Sequence, residues 1–112
     1  MENTFEQKFK DVIIKMEKAG YEYAELRGQS YQAQELKSSV LASIISKLGE
    51  IPVSRGELLG KSSEEYKTYI RETAEAIKKE LRAKALYEKY KCGFEALRSL
   101  SSLEKKIIDK TE

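Results

Sequence analysis

The sequence predicts an all-α protein, a long antiparallel helical hairpin of coiled-coil character completed by oligomerisation. Three observations predict it. The 112-residue chain is 36% charged and holds a single proline, a composition that suits long, solvent-exposed helices. Apolar residues recur at alternating three- and four-residue spacing through two long stretches. Between those stretches lies one clear connection, GEIPVSRGELLGKS at 49–62, with three glycines and the only proline. A chain of this size that is mostly helix surface cannot bury a thick core. The expectation is therefore a thin hairpin, with more of the core completed between subunits.

The first helix is expected over about 4–48. Asn3 and Thr4 can cap its start, because their side-chain oxygens accept hydrogen bonds from the free N–H groups of the first turn. Phe5, Phe9, Val12, Met16, Ala19, Tyr23 and Leu26 follow at a period near 3.5, the pattern of a helix burying one stripe against another helix. Gly20 and Gly28 each weaken a helix interior by roughly 1 kcal/mol. They imply a bend or fraying there, with a break at 18–21 as the alternative. Ser30–Gln34 is polar and weakly patterned, and the apolar pattern returns at Leu36, Val40, Leu41, Ile44, Ile45 and Leu48. Gly49 stands where a left-handed C-cap is expected. In the connection, Ile51, Val53, Leu58 and Leu59 are apolar, so the segment is expected to pack back, with a short helical turn at 54–59.

A second long helix is expected over about 63–108. Ser62 and Glu65 fit a capping box, serine at the cap and glutamate three positions later. Its first half carries Tyr66, Ile70, Ala74, Ile77 and Leu81; its second carries Ala83, Tyr87, Tyr90, Phe94, Leu97, Leu100, Leu103 and Ile107. At about 100° per residue the two stripes lie more than roughly 100° apart. That predicts a kink near 82–86, or two halves facing different neighbours. A further break is expected near 99–102. One helical domain spans the chain, without repeats.

Composition also narrows function. There is no histidine, so the commonest general base and metal ligand is missing. Cys92 is a lone cysteine on a helix and reads as inert. Gly60-Lys61-Ser62 resembles the end of a phosphate-binding loop, but position 55 is Arg55 where that loop needs glycine. Glu64 and Glu65 read as helix-start residues that suit the helix dipole. No catalytic residue, metal or cofactor is expected, and the chain is not expected to be an enzyme. There is no apolar run long enough to span a membrane. The N-terminal stretch does not read as a signal peptide, so a cytoplasmic location is expected.

Net charge is +2, too small for a strong whole-protein attraction to nucleic acid. Local clustering says more. Lys67, Arg71, Lys78, Arg82 and Lys89 are spaced 4, 7, 4 and 7, within an arc of roughly 60° on one helix. Such a row can track a phosphate backbone. Tyr87 and Tyr90, beside it, can stack on unpaired bases. The plainer reading is that the row is a solvated face and the tyrosines are core. At the hairpin tip, Lys47, Arg55 and Lys61 are expected to gather as a second phosphate contact.

Several segments together resemble a known family. These are the tyrosine- and alanine-rich GYEYAELRGQSYQAQELKSSVLASI at 20–44, the polar connection, the SSEEY helix start at 62–66 and ALYEKYKCGFEALRSL at 85–100. In helix order and pattern, over about residues 20–105, they resemble the UvsY-type recombination mediators of large phages. The resemblance implies a ring-like homo-oligomer that binds single-stranded DNA and helps load a recombinase. It also implies a DNA-binding stretch near the end of the first helix, where this sequence offers only Lys47. The row on the second helix is read from spacing alone. The function expected is a single-stranded-DNA-binding accessory protein of a phage-type recombination system. The alternative is a helical protein–protein adaptor, chaperone or inhibitor of a host protein.

Overall fold

Thr4 begins the first helix as expected. Its Oγ1 accepts from the Gln7 N–H at 3.0 Å. The computed structural model describes residues 4–111, so Asn3 lies outside the described residues. Four helices follow: α1 (Phe5–Glu35), α2 (Lys37–Lys47), α3 (Val53–Ser62) and α4 (Glu64–Thr111). The described residues are all-α, a helical hairpin with no strand.

The chain divides into two compact units, Met1–Ala24 with Arg82–Glu112, and Glu25–Leu81. In the first unit α1 and α4 run antiparallel. Phe9 meets Phe94 edge to face, with ring centroids 5.2 Å apart, and further along α1 Tyr23 stacks on Tyr87 at 6.1 Å. Gly20 sits beneath the Tyr87 ring. A β-carbon there would stand 3.1 Å from Tyr87 Cε1. The glycine is thus a close-approach site inside an unbroken helix, and neither a bend nor a break at 18–21 is needed.

The break in the first helix comes instead at Leu36. Its carbonyl still accepts from Val40 N–H at 2.9 Å and its own N–H reaches Gln32 at 3.1 Å, so the backbone ladder barely lapses between α1 and α2. Gly49, at φ 84°, caps α2 as its position predicts. The expected connection at 49–62 is mostly helix. Only Leu48–Pro52 links α2 to α3. Gly56 and Gly60 do not serve as turn residues here; they let α3 approach α2. β-Carbons at these positions would lie 3.2 Å and 3.0 Å from Ile45. Of the four apolar residues in this segment, Ile51 packs back, with its Cδ1 3.6 Å from the Gly56 β position. Val53 and Leu58 are 79% and 70% exposed.

α4 starts one residue later than the capping box implies. Ser63, in extended conformation (φ −70°, ψ 152°), accepts from Tyr66 N–H at 3.2 Å. Ser62 belongs to α3 and donates to Leu58 O at 3.0 Å. The box fails because α3 claims Ser62 for its last turn. From Glu64 onward α4 is one helix through Gly93 and through 99–102.

On α4 the covered positions match the predicted apolar stripes only in part. Its buried and half-buried positions are Tyr66, Tyr69, Thr73, Ala76, Ile77 and Glu80 in the second unit and Ala83, Tyr87, Tyr90, Gly93, Phe94 and Leu97 in the first. Ile70, Ala74 and Leu81 are exposed. The second unit buries Ile44 and Tyr66 and, beside them, several polar groups. Ser30 is fully buried, and Gln34 Nε2 donates to its Oγ at 3.1 Å. Tyr69 Oη donates to the Ala33 carbonyl, and Thr73 Oγ1 is buried without a partner among the described residues.

Candidate nucleic-acid interface

With the seam located, the position of each cation on α4 follows from helix periodicity. Lys67, Arg71, Lys78, Arg82 and Lys89 all fall on the side away from the seam, and all are exposed. Lys67, Arg71 and Lys78 belong to the second unit, Arg82 and Lys89 to the first.

Their surroundings differ. Lys67 lies 3.8 Å from Glu64 and Lys78 lies 3.4 Å from Glu75. Arg71 donates to Thr68 Oγ1 at 3.2 Å. Exposed pairs of this kind contribute about 0–1 kcal/mol and open readily to a competing anion. Arg82 has no ion pair among the described residues. Lys89 Nζ stands 5.9 Å above the centre of the Tyr90 ring, a cation–π contact rather than a neutralising one.

Lys47, Arg55 and Lys61, the cations expected at the hairpin tip, have different surroundings. Lys47 reaches both carboxylate oxygens of Glu65 at 3.3 Å, at the start of α4. Arg55 and Lys61 both lie on α3, and six residues of helix place them roughly 120° apart around its axis. The helix here is longer than the short turn expected at 54–59, and it fixes these two cations on separate faces.

Two grooves border the seam of the first unit. One, of about 550 Å³, is walled by Ile13, Met16, Tyr21 and Tyr87 over Gly20 and is largely apolar. The other, of about 350 Å³, is lined by Lys15, Lys18, Ala19, Glu22, Leu86 and Tyr90. It brings two lysines of α1 to a tyrosine of α4 that already carries Lys89. The sequence reading did not single out Lys15 or Lys18. For Lys15 a signal was present: Lys8, Lys15 and Glu22 recur every seven residues beside the seam positions Val12, Met16 and Ala19. In an antiparallel pair, such flanking residues border the flanking residues of the other helix.

Among the described residues no group of histidine, cysteine or acidic side chains is placed to hold a metal ion, and no helix is long and apolar enough to cross a membrane. Cys92 is exposed. No protein-family model, curated protein or solved structure matches the chain.

Proposed function

We propose that this protein is a non-enzymatic, single-stranded-DNA-binding accessory factor of a phage-type recombination system, acting as a cytoplasmic homo-oligomer that helps load a recombinase. The observation that carries the reading is the set of exposed cations on α4, away from the seam. Arg82 is free of ion pairs among the described residues, and Lys89 adjoins a tyrosine. Cations so placed meet backbone phosphates without disturbing the helix pairing. The family resemblance supports the recombination setting. Oligomerisation is supported by the end of α4: residues 98–110 are all exposed, and Leu100, Leu103 and Ile107 are 54–56% exposed. Several weak cationic faces in one assembly bind a strand far better than one, through effective concentration.

Charge reversal tests the reading. The triple variant Arg71→Glu, Lys78→Glu, Arg82→Glu is expected to lose binding to a labelled thymidine oligonucleotide while keeping its helical circular-dichroism spectrum. Unchanged binding would rule out α4 as the contact surface.

A second reading, a helical protein–protein adaptor, is favoured by a different observation. On α1, Ile14 and Tyr21 are 65% and 71% exposed, and Tyr21 borders the apolar groove over Gly20. An amphipathic partner helix would cover such a surface. Capture of a defined partner protein that survives nuclease treatment and is lost on Tyr21→Glu would favour it.

A further inference from the structure

We infer that the groove lined by Lys15, Lys18, Ala19, Glu22, Leu86 and Tyr90 is a nucleotide seat, in which Tyr90 takes an unpaired base and the α1 lysines take the flanking phosphates. The inference rests on the single-stranded-DNA reading and adds to it a place, a second helix and a mode of contact.

Four observations converge on this groove. It lies wholly within one compact unit, between the α1 and α4 segments that pack there. Its rim carries two exposed lysines from α1, and Lys89 of α4 sits 5.9 Å over the Tyr90 ring. Its floor is apolar and aromatic, with Ala19 5% exposed and Tyr90 half-buried. The charge balance points the same way. Residues 25–81 hold nine basic and nine acidic residues, so the whole net charge of +2 resides in the unit that contains the groove.

A strand of unpaired nucleotides offers both surfaces that the groove complements: a flat π face for the tyrosine and anionic oxygens for the ammonium groups. An acidic peptide would use the lysines but leave the aromatic floor unused. Glu22 is the one opposing charge in the lining. It keeps the seat from being a simple anion trap, and its removal should strengthen phosphate binding.

The experiment compares a 20-nucleotide oligothymidine with an abasic strand of the same length, by fluorescence anisotropy, across a salt series on the full chain. The wild type is expected to prefer the thymidine strand by about tenfold, the scale of one stacked base. Tyr90→Leu should erase that preference. Lys15→Gln with Lys18→Gln should weaken both strands and reduce the salt dependence by about 0.7 for each phosphate no longer neutralised. Glu22→Gln should tighten both. Circular dichroism verifies folding of each variant, and the double lysine variant keeps the test decisive if Tyr90→Leu perturbs the seam.

Wild-type binding that survives Lys15→Gln/Lys18→Gln unchanged but is lost on Arg71→Glu/Lys78→Glu would overturn the seat and leave the α4 reading standing. Equal binding of the two strands, or equal displacement by poly-glutamate, would show a generic anion surface and also overturn it. Absence of binding to either strand by the wild type would remove the nucleic-acid reading and the seat together.

Discussion

Two glycine-to-alanine substitutions in the same compact unit separate backbone freedom from packing. Gly28 lies inside α1, and a β-carbon there would meet nothing within 4 Å. Gly28→Ala therefore gains helix propensity, about 1 kcal/mol, by restricting the unfolded chain. For a domain of this size that is a rise of about 4 °C in Tm. Gly60 is buried on α3. Its β-carbon would stand 3.0 Å from Ile45 Cγ1 and 3.1 Å from Leu41 Cδ1. The same backbone gain is there opposed by overpacking, which costs typically about 1–3 kcal/mol. Gly60→Ala should thus fall between no change and a loss of about 2 kcal/mol, and Gly60→Leu should undock α3. Urea denaturation followed by circular dichroism at 222 nm reads both, and an unchanged m-value confirms that the folded states are comparable. A Gly60→Ala protein as stabilised as Gly28→Ala would refute the close approach of α3 to α2. A destabilised Gly28→Ala would refute the open placement of α1 at that point.

Thr73→Val should stabilise the second unit by about 1 kcal/mol, because it removes a buried hydroxyl with no partner at nearly constant shape; a loss of stability in thermal unfolding would mean that the hydroxyl is bonded. Ser63→Ala should cost about 1 kcal/mol through loss of the α4 cap. Ser62→Ala should cost much less, since its hydroxyl only back-bonds within α3, and the reverse order would restore Ser62 as the cap. Lys47→Ala should change stability by no more than about 1 kcal/mol, and less as salt rises, because its contact with Glu65 is exposed.

The sequence was most readable where the seam is apolar. On α1, each seam position from Phe5 to Leu26 carries a residue whose type announces burial, and the structure buries or half-buries all of them. On the first half of α4 the logic holds only in part. Tyr66 and Ile77 are covered as their types announce, but Tyr69, Thr73, Ala76 and Glu80 are covered as well while Ile70 and Leu81 face solvent. The polar groups there are accommodated by local bonds such as Gln34 to Ser30. Gly56 and Gly60 misled for a related reason. A glycine required for a turn and a glycine required for close approach look alike without the neighbour, here Ile45.

The candidate site was legible in part. Exposure of the five α4 cations follows from their spacing. Pairing of Lys47 with Glu65, 18 residues away, needs tertiary structure. The groove that joins Lys15 and Lys18 to Tyr90 depends on the antiparallel register, which spacing on one helix does not supply. The position of Tyr90 shows the same limit. Its ring reads as either core or stacking platform from sequence; in the structure it is half-buried, at the edge where seam meets groove.

The most direct test of the functional account is the affinity of the wild-type protein for a single-stranded oligonucleotide between about 50 and 200 mM salt, with light-scattering mass measured on the same sample. The account predicts an oligomer whose affinity falls steeply as salt rises, in proportion to the phosphates it contacts. An oligomer that does not bind the strand even at the low-salt end would contradict it, leaving the α4 cations as a solvated face and the apolar surface of α1 as the place to look for a protein partner.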